Sequence, residues 1–293
     1  MSWTSFHCEE ADFAVRSVPD NVSFGAKRSA LQTSQVFRDM FTCCHAADNS
    51  TESDLPQTLD LSEPSPVIIV LLHLLHDPLG PPLGEPPNFS SSQLYQKRYD
   101  WRTVVPLPLI TTMIFDIVDK YMLDPSIIDT IWLHVNAHAA TDPLQVYSFA
   151  TLHDKDQIAS EASQYLMPLA SYRSDEIKVI PSVEAYHKLV RLQHIRLKSL
   201  KAILLSEDIF PHGYGKCPIH HDRATSIWDA QRKALADRVD TGTDIVAEMT
   251  MLSHEFSNCE QCFKAFNAAI GMFSYKTEKV PRRIDQLPSE ARQ

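Results

Sequence analysis

DFAVRSVPDNVSF, residues 12–24, is the stretch from which the rest of the chain has to be read. Phe13 and Val15 alternate with small or polar neighbours, as do Val22 and Phe24, at the two-residue period of a half-buried strand. Pro19, Asp20 and Asn21 between them are turn formers, so the stretch predicts a β-hairpin. Helical spacing follows at once. SQVFRDMF, 34–41, sets Val36, Phe37, Met40 and Phe41 on one face, with Ser34 as N-cap. Strands followed by helices place the chain in the α+β class.

Further out, residues 45–57 are polar and predict a loop, and Leu59 and Leu61 predict a short strand. PSPVIIVLLHLL, 64–75, starts a helix on proline and is apolar all round, which requires burial on most sides. A Pro/Gly/Ser-rich insertion over 77–98 reads as exposed. Helical patterning returns at 109–123 (LITTMIFDIVDKYML) and 125–139 (PSIIDTIWLHVNAHA), then at 143–152 and 155–170. The longest predicted helix is 182–205, with Tyr186, Leu189, Val190, Leu197, Leu200 and Leu204 directed to a core. Two or three more helices follow, and no internal repeat is visible.

At 293 residues the chain suits two compact units, and 44% apolar residues supply a real core. Seven glycines against 19 prolines argue against Gly-rich phosphate loops and for helices joined by rigid turns. A net charge of −10 works against a broad nucleic-acid surface, and the basic stretch Lys188–Lys201 reads as a solvated helix face in preference to a local basic patch. The longest apolar run, Val67–Leu75, is too short to span a bilayer. The first residues lack a basic start and apolar core, so no signal peptide is expected. The expected location is intracellular, cytoplasm or nucleus, with the six cysteines reduced, buried or metal-bound.

The block from Asp12 to Met122 resembles a BTB/POZ domain. The hairpin, AKRSAL (26–31) and SQVFRDMF (34–41) look like that family's strands and first helical hairpin. LSEPSPVIIVLL (61–72) looks like its next strand and helix, and DIVDKYML (116–123) like its Asp-Lys-Tyr helix. The later half is similar to BTB proteins of mushroom-forming (basidiomycete) fungi. The resemblance implies a BTB/POZ core over 12–140, after an extension of residues 1–11. It further implies an all-helical region over 141–280 and a polar tail over 281–293. It also implies a non-enzymatic protein–protein interaction module that self-associates, as a homodimer, or binds protein partners. Some members recruit cullin ubiquitin ligases. Those carry a hydrophobic-x-Glu step after Met-Phe, whereas FTCCHAA follows Met40 here. Lys27 also stands where many members have histidine.

Catalytic motifs are sparse. No Gly-x-Ser-x-Gly elbow or cysteine-protease context occurs, and His134 with His138 lacks the Glu of a zincin, leaving two helix-surface histidines. His73 and His76 read as core or groove histidines, and Cys43 and Cys44 as packed thiols near a helix end. In DKY, 119–121, Tyr121 is expected to pack while Asp119 and Lys120 face solvent. The remaining candidate is CPIHH, 217–221, with CEQC, 259–262. Cys217 with His220 or His221, and Cys259 with Cys262, are two ligand pairs at zinc-site spacing, suited to one structural zinc. Plain packing of buried thiols is the competing reading, and redox or catalytic use a third. Two alternative functions remain beside the interaction module. One is a cullin ubiquitin-ligase substrate adaptor; the other is a metal-dependent hydrolase in the later half, using His212, His220, His221 and Cys217.

Overall fold

The computed structural model describes residues 3–45, 58–77, 79–83, 99–211 and 215–288, except the side chains of Cys44 and His45. The chain divides into two compact units, Met1–His138 and Ala139–Gln293. The fold is mixed α+β and mostly helical, with one small sheet among the described residues. The loop expected within 46–57, nearly all of the insertion over 77–98, and His212 lie outside the described residues.

In the first unit, β1 (Phe13–Ser17) and β2 (Val22–Ala26) form the antiparallel hairpin, with Phe13 opposite Ala26 and Ser17 opposite Val22. Asn21 takes φ 53° in the turn, a left-handed conformation that asparagine tolerates. The short helix α1 (Arg28–Leu31) leads into α2 (Gln35–His45). Ser34 Oγ accepts from the Phe37 N–H at 3.3 Å and donates to the Tyr121 carbonyl at 2.6 Å, so the predicted N-cap also ties two helices together. β3 (Thr58–Leu61) returns parallel to β1, giving the order β2-β1-β3. Phe13, Val15 and Ser17 turn to the core while Arg16 points outward to Asp60, at 2.8 Å from Nε.

Helix α3 (Ser65–His76) is buried from Ile68 to Leu75, as its all-round apolar surface requires. Its first N–H, on Ser65, is taken by Asp20 of the hairpin turn. His76 accepts from the Lys27 N–H at 2.9 Å and donates through Nδ1 to the Leu72 carbonyl; His73 reaches the Ser5 carbonyl through Nε2. Both therefore serve packing. Cys43 is exposed, contrary to the packed thiol expected there.

The predicted helix over 109–123 has two α-helical ends, α4 (Leu107–Leu109) and α5 (Phe115–Lys120), around a π-helical turn at Ile110–Ile114. Tyr121 is buried at its end, and Lys120 pairs with the largely buried Glu63. In α6 (Pro125–Ala137), His134 is fully buried and His138, just beyond the helix, nearly so. They are not surface histidines. His134 Nδ1 accepts from the Val105 N–H at 3.2 Å, its Nε2 donates to Gly80, and His138 Nε2 donates to the Val105 carbonyl at 2.9 Å. The two rings satisfy a buried stretch of backbone.

Among the described residues, the second unit contains helices only: α7 (Pro143–Leu152), α8 (Asp156–Ser163), α9 (Ser174–Ile177), α10 (Val183–Ser206), α11 (His221–Arg238), α12 (Ile245–Thr250), α13 (Ser253–Phe256) and α14 (Glu260–Glu278). Ser182 caps α10 by accepting from the Ala185 N–H at 3.0 Å. Leu189, Leu200 and Leu204 of α10 are buried, but Tyr186 and Val190 are exposed. The core centres on Trp228, whose ring meets Phe273 edge-on at 5.4 Å and lies 6.2 Å from Phe266. The segment expected as a polar tail begins with backbone bonds from Ile284 and Asp285 to the hydroxyls of Ser163 and Ser160.

Candidate metal centre

The end of α10 is fixed before the cysteine loop begins. Trp228 donates its indole N–H to the Glu207 carbonyl at 2.8 Å, and the buried Arg232 donates to the Leu205 carbonyl at 2.6 Å. These bonds satisfy carbonyls that a helix C-terminus leaves without partners. Gly215 then takes φ 69°, a conformation open to glycine without strain, and the chain turns into Cys217. Gln261, in the first turn of α14, donates to the Lys216 carbonyl at 3.0 Å and holds the loop against that helix. Sequence reading missed Gly215 and Gln261 as positioning residues; only the glycine, in a Pro-His-Gly-Tyr-Gly run, carried a visible signal.

Four side chains meet at this junction. The ligand atoms of Cys217, His220, Cys259 and Cys262 all lie within 4.8 Å of one another. The Cys217 sulfur is 3.6 Å from His220 Nδ1 and 3.8 Å from the Cys259 sulfur. A tetrahedral ion with metal–sulfur and metal–nitrogen bonds of ordinary zinc length has edges of about 3.8 Å between sulfurs and about 3.6 Å from sulfur to nitrogen. The donor set can hold a metal ion. His221 does not join it. Its Nδ1 donates to the Cys217 carbonyl at 3.1 Å, and its Nε2 faces Asp222 at 3.0 Å.

The local backbone favours thiolate at two of the three sulfurs. The His220 N–H donates to the Cys217 sulfur at 3.4 Å and holds that thiol below its usual range. The Cys262 N–H, with His220 beside it, brings the Cys259 thiol down to about 6. Cys259 is the N-cap residue of α14, so the helix dipole acts in the same direction. Burial pushes Cys262 up to about 12, and the neighbouring sulfurs act in the same sense. The thiols of Cys259 and Cys217 raise the His220 imidazole. A bound cation would supply the charge that the buried Cys262 thiolate lacks. His220, Cys259 and Cys262 also line an open cleft walled by Ile227, Phe256 and Ala224, with Arg223 and Glu255 at 3.4 Å from each other.

Comparison of the chain with protein-family models, with curated proteins and with solved structures returned no match. No described helix is long and apolar enough to cross a membrane.

Proposed function

We propose that the chain is a non-catalytic protein-interaction module. Its first unit is a BTB/POZ-like body that self-associates or binds a partner, and its second unit presents an apolar helix face and is clamped by a structural Zn²⁺. The observation that carries the interaction reading is a stripe on α10. Val183, Tyr186 and Val190, spaced three and four residues apart, are 85%, 38% and 39% exposed. Residues at that spacing share a helix face, and a solvated apolar face of this kind fits protein contact. The order of hairpin, helices, parallel return strand and buried helix in the first unit supports the family part of the reading.

The donor chemistry supports zinc in a holding role. Three thiols and one imidazole are the soft and borderline ligands that zinc prefers, and four protein donors complete a tetrahedron. Metal-dependent hydrolysis needs an ion with a position left for water, so donor count separates the two roles. The interaction reading is tested by capture from native lysate with the full chain and with a V183S/Y186S/V190S variant. Partners held by the first and lost by the second, at unchanged melting temperature, are expected. Equal capture by both would overturn the α10 face as the contact surface.

A further inference from the structure

Two arginines of the second unit, Arg196 and Arg282, line the same recess. Arg196, in the middle of α10, donates from Nε to the Thr241 carbonyl at 2.6 Å and from Nη1 to the Pro281 carbonyl at 3.5 Å. Those bonds fix its guanidinium but leave its charge unneutralised. Among the described residues no carboxylate pairs with Arg196 or with Arg282, while Arg16, Arg173, Arg223, Arg232, Arg238 and Arg283 all have one. Burial disfavours the charged form of Arg196, and the charge it feels besides is that of Arg282, of the same sign. A partly buried cation beside a second cation is costly unless something of opposite charge joins them.

Arg196, Arg282 and Thr241 line one recess, together with Ser163, Gln164 and Gln193. The last three are already committed. Gln193 accepts from the Leu169 N–H and donates to the Met167 carbonyl; Gln164 donates to Glu161; Ser163 donates to Ser160 and accepts from Ile284. The acids of the same segments are engaged elsewhere: Glu161 and Asp285 pair with Arg283 at 3.2 and 3.5 Å, and Asp240, next to Thr241, accepts from the Gly242 N–H and the Thr243 hydroxyl. What remains includes two guanidinium groups and a hydroxyl. Thr241 Oγ1 is buried and has no hydrogen-bond partner among the described residues. Among the same residues Arg196 bonds through Nε and Nη1 alone, and Arg282 bonds through its backbone N–H and not its side chain. From these observations we infer that the recess is a binding site for a phosphate-class oxyanion, gripped by Arg196, Arg282 and Thr241.

The match is chemical. Planar guanidinium forks bind the paired oxygens of phosphate with charge-assisted hydrogen bonds, and a hydroxyl can take a third oxygen. Two positive charges balance the dianion of a phosphate or phosphate monoester. The three donors come from α10, from the loop before α12 and from the segment after α14, so an oxyanion here would join three separate parts of the unit.

The test is calorimetric titration of the full chain with inorganic phosphate and with phenyl phosphate, against chloride at matched ionic strength, plus thermal melting in the same solutions. Saturable binding of one phosphate per chain is expected. The melting temperature should rise by about 3–5 °C at ten times the dissociation constant. R282Q should weaken binding about tenfold or more while the unliganded protein melts as before, because among the described residues the Arg282 side chain makes no bond that substitution would break. R196Q should abolish binding; R196K, which keeps the charge but not the fork, should weaken it. Tighter binding of phenyl phosphate than of phosphate identifies a phosphorylated partner as the source, and the reverse identifies the free ion. No heat and no melting shift beyond chloride, or equal affinity in R282Q, overturns the site.

Discussion

Replacing Cys259 with serine tests the metal centre most sharply. Cys217 and Cys259 are 42 residues apart, and an ion between them closes that length of chain. The chain-entropy relation for a cross-link of that span gives about 4 kcal/mol. For a unit of this size that corresponds to a fall of about 8–16 °C in melting temperature. A thiol that is merely packed at this half-exposed position would cost under about 1 kcal/mol on replacement. The assay is amide hydrogen exchange, which reads the two units separately in one experiment. In C259S, and in the native chain after chelation, amides of α11 and α14 should exchange about a thousandfold faster, with β1–β3 and α3 unchanged. Elemental analysis should find about one zinc per native chain and none in C259S. A variant that keeps zinc-independent melting within a degree or two of the native chain would refute the clamp.

Two further outcomes are expected in the first unit. Burial lowers the pKa of both His76 and His134 in the folded state, so the unfolded chain binds more protons as pH falls below the free-histidine value of about 6.5. That contribution is whole above pH 6.5 and is lost on acidification toward the folded values, so urea midpoints of the first unit should drop between pH 6.5 and 5. Midpoints flat across that window would refute it. The Lys120–Glu63 pair is asymmetric, with side chains 58% and 9% exposed. K120M should therefore cost about 1–2 kcal/mol by stranding a buried carboxylate, and E63Q less; the reverse order in denaturant titrations would show that Glu63 is not held by Lys120.

Features set by local pattern were legible in the chain itself. The alternation around Pro19–Asn21 encodes the hairpin, the position of Ser34 encodes a cap, and the apolar run of α3 encodes burial. The candidate metal donors were legible as two short pairs because ligand spacing is local; their meeting is tertiary. His134 and His138 misled because a four-residue spacing says nothing about the strip at Val105 that crosses over them. Tyr186 and Val190 misled because α10 carries apolar residues around more than one face, and periodicity alone cannot choose which is covered. Arg196 and Arg282 lie far apart in sequence and are joined through backbone carbonyls, which leave no mark on residue choice.

The strand order has a consequence for how the molecule is made. β1 is the middle strand, yet its two neighbours arrive at different times during synthesis. β2 follows within a few residues, and a hairpin of this size closes within microseconds of leaving the ribosome. Ser17 pairs with Leu61, so the other edge of β1 stays open until a further stretch of chain containing α2 has emerged. At bacterial to eukaryotic elongation rates of about 5–20 residues per second, that is an interval of seconds. Through it, a bare strand edge carrying Phe13 and Val15 is available to any other nascent chain, and a two-stranded hairpin is only marginally stable by itself. Expression yield should therefore respond to the speed of translation across residues 18–61.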